Sequence, residues 1–480
     1  MADAPVHPRN PSPPDRDNAQ ARGSSCLPIP PAKLGFPLIA LSATQWFHSN
    51  VILNYLRTIR VCRDLVLIAF VVISAGCASI TGHVTSEKEI RRQIKTSYSV
   101  SDPEFRNSIS QLLGAPLVAG NKVTELKNGD QIFPAMLEAI RGAQKTITLE
   151  SFIWRSGKVS TQFSEALTER ARAGVKVRVI VDAFGSWALG GREVKQMTDA
   201  GVAFVKLHPL ISIKFLRFNH RTHRKLLIVD GKIGFIGGVC LADEWAGNAE
   251  LGQWRDSHFR VEGPVVAEMQ GAFCQNWLTT KSQVLHGSNY FPELEPAGSI
   301  TAQCFSSGPW DRSEQARLSY LMAMASARKN IRLAHAYFVP SKLAIQTLLD
   351  ARKRGVEVEV IIPAKIDSFV VHMASRSRLR KLLDAGVKFY EYQPTLYHCK
   401  IMVVDDIWST VGSINFDEKS FRANYEANLN VLDKNFAATL VKSFEDDKSK
   451  SRPLTPADFK RQNIFKKLGN FFFGLFHADL

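Results

Sequence analysis

An α/β fold built from two similar halves is what this sequence predicts, and three observations carry the prediction. Segments recur in order at a nearly constant offset, each copy alternates β-branched runs with helical apolar spacing, and one polar motif appears at equivalent places in both copies. Each half then holds a largely buried sheet covered by helices, and ligand sites favour the seam between such halves. The active site is therefore expected at a pseudo-twofold interface, with a membrane or signal segment ahead of it.

The repeat comes first because it organises everything else. "ARAGVKVRVIV" from Ala171 returns as "RKRGVEVEVII" from Arg352, "DAGVAF" from Asp199 returns as "DAGVKF" from Asp384, and "AQKTITL" from Ala143 returns as "ARKNIRL" from Ala327. The offsets run from 181 to 185 residues, so two copies of one unit differ only by small insertions. Val175–Val181 and Val356–Ile362 read as strands, and Thr161–Ala173 and Ser341–Arg354 as helices. The first half is assigned to residues 120–285 and the second to 313–440, with a Pro-, Gly- and Ser-rich linker over 286–312.

Ahead of the halves, residues 1–64 read as a disordered, basic leader. Residues 65–80, "LVLIAFVVISAGCASI", form an uncharged run long enough for a signal-type core and short for a membrane span of about 20 residues. Ser74, Ala75 and Gly76 before Cys77 resemble a bacterial lipoprotein box, which makes Cys77 a candidate lipid-anchoring residue. Residues 441–480 form a basic tail whose "FKKLGNFFFGLF" either lies in a membrane interface or packs on the domain.

Composition narrows the function classes. With 480 residues, 45% hydrophobic and 22% charged, the chain can bury a large core. The net charge of +16 suits a polyanionic neighbour, either nucleic acid or an anionic membrane. Seven cysteines without a CxxC pair argue against a zinc site and against a disulfide scaffold.

The chemistry sits in the doubled motif. His223-x-Lys225-x4-Asp230 is followed after six residues by Gly237-Gly238, and His398-x-Lys400-x4-Asp405 by Gly412-Ser413, with Asn415 two further on. On a strand, residues two apart face one way, so each His is co-directed with its Lys. Asp230-Gly231 is a hairpin signal, so Asp230 and Asp405 are candidate catalytic residues for which a turn role is the favoured reading. Gly238 and Ser413 permit close approach, and with Asn415 they are candidate phosphate-binding positions.

Two facing halves would gather two imidazoles, two ammonium groups and an amide. This set suits in-line displacement at a phosphodiester: a neutral His attacks phosphorus, a protonated His gives its proton to the leaving alkoxide, and Lys and Asn hold the non-bridging oxygens. The chemistry calls for no metal and no cofactor.

These residues resemble the phospholipase D superfamily, whose mark is a doubled HxKxxxxD motif. The similarity is greatest to bacterial cardiolipin synthases, through "HRKLLIVDGKIGFIGG", "ADEW" at Ala242, "WRDSHFRVEGPVV" at Trp254, "YFVP" at Tyr337 and the stretch Tyr390–Phe421. The resemblance implies a covalent phosphohistidine, with His223 as nucleophile and His398 as general acid, and with Lys225, Lys400 and Asn415 on the phosphate. It also implies that Glu426 orients His398 and that Asp256 serves His223. Cys240 stands where the first half would carry its Asn. His220 reads as polar flank, His335 as a core histidine on a strand end, and Cys399 as buried filler.

The expected activity is phosphatidyl transfer between phospholipids, phosphatidylglycerol or similar, by an enzyme associated with the bacterial cell membrane. Hydrolysis by a phospholipase D and a metal-independent phosphodiesterase or nuclease are the alternatives. The apolar anchor and Phe-rich tail favour lipid over nucleic acid, and the intact His, Lys and Asn of the second copy argue against a silent lipid-binding scaffold.

Overall fold

The structure is a computed structural model that describes residues 98–208, 220–309, 314–365 and 369–460, together with Ile90 and Ile94. The predicted anchor over 65–80, Cys77 and the Phe-rich end of the tail lie outside the described residues. Among the described residues no helix is long and apolar enough to cross a membrane.

Helix α1 (Pro103–Leu113) leads into the first half: β1 (Val118–Lys127), α2 (Asn128–Gly142), β2 (Thr146–Ser151), α3 (Lys158–Arg172), β3 (Lys176–Asp182), α4 (Gly191–Asp199), β4 (Ala203–Leu207), the hairpin β5 (Leu226–Val229) and β6 (Ile233–Gly237), then β7 (Ser257–Glu262) and α5 (Val266–Lys281). The second half repeats the order with β8 (Ile300–Ser307), α6 (Gln315–Ser326), β9 (Asn330–His335), α7 (Lys342–Lys353), β10 (Glu357–Pro363), α8 (Phe369–Asp384), β11 (Lys388–Tyr392), β12 (Lys400–Val404), β13 (Trp408–Gly412), the short helix α9 (Glu418–Arg422), β14 (Glu426–Leu432) and α10 (Lys434–Ser449). An edge strand β15 (Ser451–Pro453) and α11 (Ala457–Lys460) close the described chain.

The strands form one sheet in the order β15-β11-β10-β9-β12-β13-β14-β8-β1-β7-β6-β5-β2-β3-β4. Apart from β15, the order is palindromic about the antiparallel β8–β1 contact, so the repeat read in the sequence becomes a pseudo-twofold axis between those strands. Two boundaries shift as a result. The segment 286–312 is not only a linker, because β8 within it is the seam strand that pairs β14 along seven residues. The second half also runs past residue 440, which falls inside α10.

Strand alternation explains how the core is divided. On β5, Leu226 and Ile228 face one apolar cluster while Leu227 and Val229 face another, and on β12 Ile401 and Val403 part from Met402 and Val404 in the same way. The cluster shared by both halves takes Leu226, Ile228, Ile401 and Val403 together with Met269, Phe273 and Trp277 of α5 and Phe436, Leu440 and Phe444 of α10. A strand buried on both faces reads as a continuous apolar run, as "LLIV" and "KIMVV" do. The parity that sends Cys399 into the shared cluster sends His398 and Lys400 to the other face.

Candidate active site

Each motif sits at the entrance of the inner strand of a hairpin. Lys225 and Lys400 curl back so that Nζ donates to the carbonyl of their own motif histidine, at 2.7 Å for His223 and 2.6 Å for His398. The Lys225 ammonium also lies 5.5 Å from the Phe152 ring centre, and Lys400 Nζ lies 3.1 and 3.3 Å from the two ring nitrogens of His398.

The histidines are held from across the seam. His223 Nδ1 lies 3.0 Å from both carboxylate oxygens of Glu426, on β14 of the second half. His398 Nδ1 lies 2.7 Å from Asp256 Oδ2, just ahead of β7 in the first half. The backbone repeats the exchange: His223 N–H donates to Tyr425 O at 2.9 Å, and His398 N–H donates to Arg255 O at 2.7 Å. This reverses the expected pairing, in which Glu426 served His398 and Asp256 served His223. The physical reason is the parallel bridges Thr222 to Tyr425 and Arg255 to Tyr397, which dock each motif against the other half's carboxylate strand.

The carboxylates are completely buried and fully engaged. Glu426 also accepts from Ser413 Oγ at 2.5 Å and Asn424 Nδ2 at 3.4 Å, and Asp256 accepts from Trp245 Nε1 at 3.0 Å and Ser257 N–H at 2.8 Å. The glycine pairs are thereby explained. A Cβ on Gly238 would lie 2.2 Å from Asp256 Oδ1, and one on Gly412, whose φ is +152°, would lie 2.3 Å from Asn428 Oδ1. Gly238 and Ser413, the candidate phosphate-binding positions, lie against the two carboxylates, Gly238 against Asp256 and Ser413 on Glu426.

Asp230 and Asp405 do not reach the site. Each occupies a left-handed hairpin position at φ 53°. The Asp230 carboxylate accepts the backbone N–H groups of Gln144, Lys145 and Thr146 at 2.7–2.8 Å, and Asp405 accepts those of Arg328, Lys329 and Asn330. The motif Asp ties the hairpin to the strand beside it, in keeping with a turn role rather than the catalytic one for which it was also a candidate.

Asn415 is nearly buried and its Oδ1 has no hydrogen-bond partner, which leaves an amide uncommitted to the protein. Gly237 pairs with His258 as Gly412 pairs with Asn428, so Cys240 occupies the place equivalent to Asn415. His220 Nδ1 lies 3.0 Å from Ala423 O, on the flank. His335 is buried between Tyr320 and Phe416, and burial pushes it down to about 3.

Burial decides the electrostatics. It pushes His223 down to about 4 against the opposing pull of Glu426, and Lys225 adds to the fall. His398 is lowered by burial and then by Lys400, with Asp256 opposing. Burial also lowers Lys400 to about 8, where Asp256 opposes and Lys225 assists. For Asp256 and Glu426 burial acts upward, but the histidine and lysine charges and the hydrogen bonds outweigh it and hold both carboxyls below their ordinary range. His223 is thus a neutral imidazole donating Nδ1–H to Glu426, which leaves its Nε2 as the nucleophilic nitrogen, while the Asp256 carboxylate on His398 Nδ1 favours the protonated form of that ring.

An aromatic surround was missed by the motif reading. Trp245, Trp254 and Tyr337 ring centres lie 5.2, 5.6 and 6.4 Å from that of His398, and that of Phe152 lies 5.2 Å from that of His223. The signal was present in "ADEW", "WRD" and "YFVP", whose aromatic residues had been given no role. Arg255 fastens the halves: its guanidinium pairs with Asp447 of α10 through two contacts of 2.9 Å, and Tyr397 OH donates to the same carboxylate at 3.0 Å.

Comparison with known proteins places these features in context. A family model described as "Cardiolipin synthase, PLD-like domain" matches residues 136–277 and 320–448. The chain is 35% identical over 363 residues to the "Probable cardiolipin synthase YwiE" of Bacillus subtilis, covering 75% of this chain and 72% of that one. It is 34% identical over 359 residues to "Cardiolipin synthase A" of Pseudomonas putida, covering 74% of each. Among solved structures, the phosphatidylserine synthase of Haemophilus influenzae aligns with a TM-score of 0.62 at 13% identity, over 78% of this chain and all of that one, a likeness of fold.

Proposed function

The chain belongs to the cardiolipin synthase family with its phospholipase D-like domain, and from that premise we propose phosphatidyl transfer between phospholipids through a phosphohistidine on His223. The observation that carries the reading is the crossed pair of imidazoles. Each has Nδ1 committed to a buried carboxylate of the opposite half, and two ammonium groups lie beside them.

The donor phosphodiester lies between the two Nε2 atoms, its non-bridging oxygens on Lys225, Lys400 and the Asn415 amide. His223 Nε2 attacks phosphorus, the bond to the leaving alcohol breaks, and His398, which enters the step protonated with Asp256 stabilising its charge, gives that alkoxide its Nε2 proton. Glu426 stabilises the positive charge that forms on the His223 ring. The glycerol hydroxyl of a second phospholipid then gives its proton to His398 and attacks phosphorus, which releases His223. With phosphatidylglycerol as both donor and acceptor, the products are cardiolipin and glycerol. The aromatic surround of His398 supports transfer over hydrolysis, because a water-poor acceptor site favours a lipid hydroxyl.

The test gives purified full-length protein labelled phosphatidylglycerol in the presence of EDTA. Cardiolipin is expected to form and to vanish in both His223→Ala and His398→Ala. Action on DNA alone, or strict dependence on a divalent metal, would sink the reading.

A further inference from the structure

Two short excursions leave the end of the sheet that carries the site. One is the turn after β3, residues 183–190. The other lies between β6 and β7 and contains Leu251. Both emerge at the site end, because β6 ends and β7 begins there in register at Gly237 and His258, and because β3 runs parallel to β2, whose last residue, Ser151, flanks Lys225.

The first turn is tightly built. Asp182 Oδ1 accepts the N–H groups of Phe184 and Gly185 at 2.9 and 3.2 Å, and Ser186 Oγ accepts from Trp154 N–H at 3.0 Å. A Cβ on Gly185 would lie 2.1 Å from Phe152 O, so the turn rests directly on the residue whose ring packs against His223. This well-anchored backbone nevertheless holds Phe184 at 51% and Trp187 at 71% exposure. The Arg221 guanidinium, two residues ahead of His223, lies 5.7 Å from the Phe184 ring centre. On the other excursion Leu251 is 69% exposed, three residues before Trp254, which packs against His398.

Large apolar side chains held outward by a fixed backbone on both flanks of one site are an interaction surface rather than scattered exposure. We propose that Phe184, Trp187 and Leu251 form a rim that enters the surface of an anionic phospholipid bilayer and seats the site over it. The inference rests on the phosphatidyl-transfer reading, since both substrates of that reaction reside in a bilayer. Aromatic rings suit the interfacial layer, the exposed Arg192 suits lipid phosphates, and the net charge of +16 draws the protein to an anionic surface.

The test separates the rim from any other attachment of the full-length chain. Wild type and Trp187→Phe are mixed with phosphatidylglycerol vesicles whose acyl chains carry bromine, and tryptophan fluorescence is recorded. Wild type is expected to lose more emission than the variant, which lacks one of the eight tryptophans. In parallel, Phe184→Ser/Trp187→Ser is expected to slow transfer on phosphatidylglycerol vesicles about tenfold and to leave transfer from monomeric short-chain phosphatidylglycerol unchanged. Equal quenching in wild type and Trp187→Phe overturns the proposal, as does an equal loss on both lipids. A change in sedimenting mass without a lipid-dependent change would mark the surface as a contact between copies and also overturn it. If wild type transfers from neither lipid, the phosphatidyl-transfer reading falls while the quenching comparison still decides the rim.

Discussion

Exchanging the charge on Glu426 for an amide, Glu426→Gln, should damage the chemistry of His223, although residue 426 belongs to the other half. Glu426 is completely buried and both of its oxygens lie 3.0 Å from His223 Nδ1. A hydrogen bond to a charged partner contributes about 1.5–3 kcal/mol, so losing the charge where imidazolium develops should slow attack by roughly 10- to 150-fold. The assay is a stopped-flow burst with a phosphodiester whose nitrophenolate leaves without needing a proton, so that only the nucleophile and the phosphate-binding groups are read. Asp256→Asn, acting on His398, should leave this burst near wild type and slow transfer from a substrate with an alkyl leaving group by about 10²-fold or more. If Asp256→Asn slows the nitrophenolate burst and Glu426→Gln does not, the crossed assignment is refuted.

Three further outcomes follow from the same geometry. The burst rate should fall as pH drops through about 4, because His223 must be neutral to attack, and fall again as pH rises through about 8, because Lys400 must keep its charge; Lys400→Arg should remove the alkaline limb in the same pH titration. Asp230→Ala should lower stability by about 1–2 kcal/mol in a denaturant titration, with three backbone donors left to water, and leave the burst unchanged. Gly238→Ala should abolish most activity while circular dichroism remains native, because its Cβ would displace the Asp256 carboxylate.

Much of this was legible in the chain. Period-two alternation placed His223 with Lys225 and His398 with Lys400, and the repeat offset marked the halves that the sheet joins at β8 and β1. The Asp-Gly turn signal told the true role of Asp230. What was not legible depended on contacts between halves. The family resemblance assigned Glu426 to His398, 28 residues earlier, and nothing local reveals that the bridge from Thr222 to Tyr425 brings it to His223 instead. The same holds for Gly238 and Ser413, whose small size answers to the carboxylates on the neighbouring strands. Strand β8 was hidden in a segment whose Pro, Gly and Ser content reads as linker, because its pairing comes from β14 and β1, far away in sequence.

The central claim is that His223 carries the phosphatidyl group while His398 handles the proton. Its most direct measurement is rapid quenching of wild type with phosphatidylglycerol labelled at phosphorus, digestion under alkaline conditions that preserve phosphohistidine, and mapping of the labelled peptide. The label is expected on the peptide containing His223, to be absent in His223→Asn and to persist in His398→Asn with the nitrophenolate donor. Label on the His398 peptide, or turnover to cardiolipin with no labelled histidine at any time, would contradict the account.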